Sequence, residues 1–97
     1  MNLPTLRQLQ YLVAVVELRH FGQAAERCFV TQSTLSTGIQ ELEHTLGSQL
    51  LERTKRKVIP TQLGKTLAQR AQHILGLTTE LVEISREGQH LLSGKLY

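Results

Sequence analysis

Gln32, Ser33, Ser36, Thr37 and Gln40 are uncharged, mostly short, and able both to donate and to accept hydrogen bonds. Such groups suit recognition rather than bond breaking. Base edges in a major groove display distinct donor and acceptor patterns that side chains of this kind can read. The other reading is an ordinary solvated helix face, but such faces usually carry Lys and Glu, and these residues are free of charge. A second set is cationic: Arg53, Lys55, Arg56 and Lys57 place four positive charges within five residues. They could neutralise phosphates or enter a narrow minor groove, where negative potential is enhanced, or they could simply solubilise a hairpin tip. Arg53, nearest the strand, is the strongest contact candidate. Arg19 and His20 could also approach backbone phosphate or serve only as surface residues.

Catalytic alternatives fail on residue type. All eight acids are Glu, so a Ser/His/Asp triad cannot be assembled, and no serine nucleophile elbow is present. His20, His44, His73 and His90 are scattered without metal-ligand spacing. Gly64-Lys65-Thr66 spells the end of a phosphate-binding loop, but Ile59 stands where its earlier glycine is required. The single cysteine, Cys28, excludes an internal disulfide. Its place at the end of a short apolar helix points to a buried packing thiol. Neither an enzyme nor a cofactor or metal site is expected.

Several elements must position the recognition residues. Pro4 suits a first helical turn, and Leu6, Leu9, Val13 and Val16, with Leu12 beside them, predict a helix over Thr5–Leu18. Phe21, Ala24 and Ala25 open a second, short helix that stops near Cys28. Thr31 caps a third, because its hydroxyl can accept from first-turn N–H groups that lack intrahelical partners. Leu35, Ile39, Leu42 and Leu46 form the buried stripe of that helix, with Ser33, Ser36, Thr37 and Gln40 opposite. Gly47 follows as a helix-ending glycine. Leu51–Arg53 and Val58–Pro60 then read as a two-stranded hairpin with its tip at Thr54–Lys57.

From Thr61, a helical pattern continues to about Leu92. Leu63, Leu67, Arg70, Ile74, Leu77, Leu81, Ile84, Gly88 and Leu91 trace one seam, with Ala68, Ala71, Leu75 and Val82 in a weaker stripe alongside. At about 1.5 Å per residue this helix exceeds 40 Å, too long for a small domain to cover. One stripe should pack on the body and the other on a second chain. The expected dimer interface is Leu63, Leu67, Ile74, Leu77, Leu81, Ile84 and Leu91.

Ninety-seven residues support one small core. A net charge of +3 permits a polyanionic partner without requiring one. Aromatic residues are only 4% and Trp is absent, so stacking platforms for single strands are not evident. No apolar run approaches the roughly 18 residues of a membrane span, and no signal peptide opens the chain. The expected setting is soluble and cytoplasmic.

A helix, a helix-turn-helix and a basic hairpin in succession describe a winged helix-turn-helix. Ala25 would lie at the helix crossing and Val30 would close the turn. Phe29 occupies the turn position where glycine is common. The stretch Phe21-Gly-Gln-Ala-Ala-Glu-Arg-Cys-Phe-Val-Thr-Gln-Ser-Thr-Leu-Ser, continuing through Ile39, Leu42-Glu43 and Leu46-Gly47 to Leu51-Glu-Arg-Thr, resembles the DNA-binding domain of LysR-type transcriptional regulators. Arg19-His20-Phe21, Cys28, Thr34-Leu35-Ser36 and Arg56-Lys57-Val58 further resemble its peroxide-sensing OxyR branch.

The resemblance implies a bacterial regulator with a mainly α winged helix-turn-helix, a β-hairpin wing and a long dimerising linker helix. Residues 1–61 would form the DNA-binding domain, 62–92 the linker helix, and 93–97 the start of a linker to an effector domain beyond the chain. Peroxide sensing would belong to that effector domain rather than to Cys28. Contacts implied by the family fall on Thr31, Gln32, Ser33, Ser36 and Arg53. Together with Thr34, Thr37, Gln40, Lys55, Arg56 and Lys57 these make up the expected DNA-binding set. Thr37, Gly38 and Gln40 depart from the Arg, Gln and basic residue frequent in the family, and Gly38 should weaken its helix by up to about 1 kcal/mol relative to Ala. The partners implied are a double-stranded operator, a second copy of the chain, a possible tetramer in the full-length regulator, and RNA polymerase. A protein-interaction module that pairs through the long helix without specific DNA binding is the competing reading.

Overall fold

Thr5 opens the first helix by exchanging hydrogen bonds with Gln8: the Thr5 amide donates to Gln8 Oε1 at 3.0 Å and the Gln8 amide to Thr5 Oγ1 at 3.1 Å. Two otherwise orphaned donors are thereby satisfied. Pro4 consequently lies outside the helix, one residue before the cap. The structure is a computed structural model that describes residues 1–53 and 57–94. It comprises α1 (Leu6–Leu18), α2 (Phe21–Arg27), α3 (Gln32–Leu46), β1 (Leu51–Arg53), β2 (Val58–Pro60) and α4 (Gln62–Gly94). The mainly α winged helix-turn-helix expected from the sequence is present, and α4 runs two residues beyond its expected end at Leu92.

The breaks between helices follow local chemistry. Arg19 ends α1 in a left-handed conformation (φ 51°) and His20 caps α2, its Nδ1 accepting from the Gln23 amide at 3.0 Å. Phe29 turns the chain between α2 and α3 at φ 58°. The Val30 amide closes that turn on the Ala25 carbonyl at 3.0 Å. Thr31 caps α3, and Gly47 ends it at φ 64°, where glycine carries no Cβ penalty. The strands are antiparallel, pairing Leu51 with Pro60, Glu52 with Ile59 and Arg53 with Val58.

The core gathers Leu9, Tyr11, Leu12, Ala14 and Val15 from α1, Ala24 and Ala25 from α2, Leu35, Ile39 and Leu42 from α3, Leu50 and Leu51 from the wing, and Ala68 and Ala71 from α4. Full burial of a Leu or Ile contributes about 1.5–3 kcal/mol, so these contacts dominate stability. Helices α2, α3 and α4 all pack on α1. This multiple coverage corrects the simple stripe expected there: Tyr11 and Ala14 are buried, Val13 and Val16 only half-buried, and Leu6 exposed. Leu46 is likewise exposed at the last turn of α3.

Helix α4 is held by its N-terminal half. Thr61 Oγ1 accepts from the Gly64 amide at 2.9 Å and reaches the carbonyls of Gln49 and Leu50 at 2.9 and 3.2 Å. A Cβ on Gly64 would fall 2.1 Å from the Leu50 carbonyl oxygen, so this glycine permits close packing of helix on wing. The weaker apolar stripe packs inward through Ala68, Ala71 and Leu75. Leu67, expected on the outer seam, is half-buried and packs in part against its own chain's core, because α4 lies along α1. Beyond Leu75, every residue from Gly76 to Gln89 except Thr78 is exposed, and the molecule extends 61 Å in its longest direction.

Candidate nucleic-acid interface

Helix α3 turns Leu35, Ile39 and Leu42 into the core, which fixes the azimuth of its remaining side chains. Gln32, Ser33, Thr34, Thr37 and Gln40 are exposed and Ser36 is half-buried. The uncharged strip therefore faces outward, with Ser36 at its edge. Thr31 Oγ1 accepts from the Thr34 amide at 3.2 Å, donates to Thr34 Oγ1 at 2.8 Å and lies 3.3 Å from Ser33 Oγ. The Thr31 hydroxyl is thus engaged in shaping the helix start. Gln32 Oε1 lies 3.7 Å from where a Cβ on Gly22 would sit, bringing the side chain beside the first turn of α2.

Gly38 is explained by its neighbour. A Cβ there would meet the Tyr11 ring at 2.5 and 2.6 Å, so the helix cost expected from glycine is the condition for α1 to cross α3 closely. That crossing creates an open cleft of about 360 Å³ lined by Arg7, Gln8, Tyr11, Ser33, Thr34, Thr37, Gly38 and Glu41. It brings a cation, Arg7, to the edge of the hydrogen-bonding strip. Nothing in the local sequence around Arg7 signals this position, because it depends on the pairing of α1 with α3.

Glu43 is the second residue that sequence reasoning missed. It is only 9% exposed, and its Oε2 accepts from the backbone amides of Leu50 at 2.8 Å and Leu51 at 3.3 Å. A carboxylate on α3 thereby anchors the entry to the wing. Its signal, an acid one residue after the buried Leu42, is indistinguishable in sequence from a solvated helix position.

Of the wing cations, Lys57 is exposed. Lys55 and Arg56 lie outside the described residues, as do the side chains of Arg53 and Leu91. Arg53, Lys55 and Arg56 therefore enter the site by sequence position alone. Along the outer face of α4, Leu63, Ile74, Leu77, Leu81 and Ile84 are exposed, at 42%, 42%, 49%, 68% and 62%.

Cys28 is half-buried rather than buried, with Sγ 3.9 Å from the Gln10 carbonyl. Burial pushes the thiol's pKa up, against weaker opposing effects of Arg27 and Arg7, so the reactive thiolate is disfavoured. Among the described residues no three His, Cys or Glu side chains converge as a metal site, and no helix is long and apolar enough to cross a membrane.

Residues 6–65 match the profile of a family described as bacterial regulatory helix-turn-helix protein, lysR family. The transcriptional regulator EstR of Acinetobacter baylyi is 50% identical over 98% of this chain and 32% of its own length. The DNA-binding transcriptional dual regulator OxyR of Escherichia coli is 46% identical over 95% of this chain and 30% of its own. The solved complex of the BenM DNA-binding domain with benA site 1 DNA superposes with a TM-score of 0.79 and 41% identity, covering 86% of this chain and 93% of that one. The chain thus spans about a third of the length of the curated relatives it matches.

Proposed function

The chain belongs to the LysR family of bacterial regulatory helix-turn-helix proteins, and from that premise we propose that it binds double-stranded operator DNA sequence-specifically as the N-terminal part of a transcriptional regulator. The observation that carries this reading is the outward, uncharged face of α3, with Gln32, Ser33, Thr37 and Gln40 exposed and Arg7 at its flank. Helix α3 enters the major groove. Its side chains read base edges, while Arg7 and the wing residues Arg53, Lys55, Arg56 and Lys57 neutralise phosphates. Thr31 acts chiefly by holding the helix start in shape, and Ser36 and Thr34 reach backbone at the margins of the strip.

Residues 1–61 act as the DNA-binding unit and 62–92 as a linker helix that pairs two copies through Leu63, Ile74, Leu77, Leu81, Ile84 and Leu91, placing two α3 helices on a dyad-related site. Higher assembly, contact with RNA polymerase and a cytoplasmic setting belong to the proposal for the whole regulator. So does an OxyR-like response to hydrogen peroxide, supported by the 46% identity to E. coli OxyR. The raised pKa of Cys28 supports placing peroxide chemistry outside these residues. Catalysis is not part of the proposal.

Selection of bound sites from random duplexes, followed by salt titration, tests the reading. Affinity for the selected site should fall steeply as salt rises, because phosphate contacts release counterions. Gln32→Ala should reduce discrimination between selected and scrambled duplexes by about 1–3 kcal/mol, with nonspecific affinity nearly unchanged. Equal binding of both duplexes by the parent chain would instead support the protein-interaction reading.

A further inference from the structure

The contact between α4 and the body combines apolar residues with a polar anchor at Thr61 and a polar bracket at Glu17. Ala68 and Ala71 are small, and the larger Leu67 and Leu75 are only partly buried. Such a surface favours contact while constraining direction weakly, since apolar attraction is non-directional. Hydrogen bonds are directional: Thr61 fixes the start of α4 on the wing, and farther along the helix Glu17 supplies them from α1. Glu17, near the end of α1, accepts from Gln72 Nε2 of α4 at 2.7 Å through Oε1 and pairs with Arg27 Nη1 of α2 through Oε2. Because α2 packs on α3, a single carboxylate ties the long helix to the helix-turn-helix.

We propose that Glu17 is a positioning residue whose simultaneous hold on Arg27 and Gln72 sets the direction of α4 relative to α3, and so the separation of two recognition helices in a dimer. The second clause rests on the DNA-binding reading above. Glu17 and Arg27 are 40% and 46% exposed, so their pair adds little to stability. Its leverage is geometric. From Gln72 to Gln89 the helix runs about 25 Å, and a tilt of about 10° moves its far end about 4 Å. That displacement exceeds the roughly 3.4 Å rise of one base pair. A small change at the bracket therefore alters which half-site spacing two copies can span.

Pulsed electron paramagnetic resonance tests the bracket without DNA. Nitroxides are placed at His44→Cys on α3 and Glu83→Cys on α4 in a Cys28→Ser background, diluted with unlabelled chain so that intramolecular distances are read. The labelled parent should give one narrow distribution. Its width should at least double in Glu17→Ala and in Gln72→Ala while the thermal midpoint moves by only a few degrees. An unchanged width in both variants overturns the proposal, and Gln72→Ala, which leaves the Arg27 pair intact, carries the test if Glu17→Ala fails to fold.

Duplexes with two selected half-sites at successive spacings test the consequence. The parent should prefer one spacing at least tenfold and the variants less than threefold, with affinity for a single half-site unchanged. Broadened distances with an unaltered spacing preference would overturn the second clause. Broadened distances in a chain that binds no duplex would support the bracket and overturn the DNA-binding reading instead.

Discussion

Helix α3 and the outer half of α4 carry apolar residues at the same alternating intervals of three and four, yet Leu35, Ile39 and Leu42 are at most 1% exposed whereas Leu77, Leu81 and Ile84 are 49% to 68% exposed. The difference lies in reach. Helix α3 has 15 residues and lies within the span of its packing neighbours, whereas α4 has 33 and outruns them. Apolar periodicity specifies a face that favours burial, while the size of the surrounding body decides whether the same chain can cover it. The two helices also divide the work proposed for them: α3 uses its polar face outward because its apolar face is satisfied, and α4 offers its apolar face outward because nothing among the described residues covers it.

The sharpest break of this contrast is Leu35→Ala, which should lower stability by about 2–5 kcal/mol through lost burial and a residual cavity, read by chemical denaturation. A loss below about 1 kcal/mol would mean that the inner face of α3 is less tightly covered than its accessibility indicates. Glu43→Ala should cost about 2 kcal/mol, because the Leu50 and Leu51 amides would lose their buried acceptor, and hydrogen exchange at those amides should accelerate. Protection equal to the parent's would detach the wing from α3.

At the turn between α2 and α3 the sign should reverse. Phe29 is 94% exposed at φ 58°, so Phe29→Asn sacrifices little packing and relieves a left-handed residue, raising stability by about 1 kcal/mol in the same denaturation assay. The smallest stability effect is expected at the outer seam. Leu81→Asp should change the monomer's stability by less than about 0.5 kcal/mol, yet sedimentation should shift from dimer to monomer. A variant that remains dimeric would reassign the seam and leave the exposed side chains of α4 without their proposed partner.

Much of the architecture was legible before any coordinates. The Thr31 and Thr61 caps, the Gly47 terminus and the hairpin over Leu51–Arg53 and Val58–Pro60 are set by interactions within a few residues, and all are found where residue type places them. The hydrogen-bonding strip was legible for the same reason, since the α3 stripe and its opposite face belong to one helical wheel. Less accessible were the half-burial of Ser36, the inward packing of Leu67 and the buried carboxylate of Glu43. Each depends on a neighbour that the local pattern does not contain.

The sequence alone determined the order of the elements, the caps and glycine end of α3, the apolar stripe of α3 through Leu35, Ile39 and Leu42, and that one helix is too long for a single small core, because caps and periodicity act over one or two turns. Only the tertiary structure decided that Gly38 lies beneath Tyr11, that Gly64 meets the Leu50 carbonyl, that Arg7 flanks the α3 strip and that Glu17 joins Arg27 to Gln72. Those relations arise when packed elements bring distant residues within a few ångströms. Close packing makes such contacts specific, and no local periodicity encodes them.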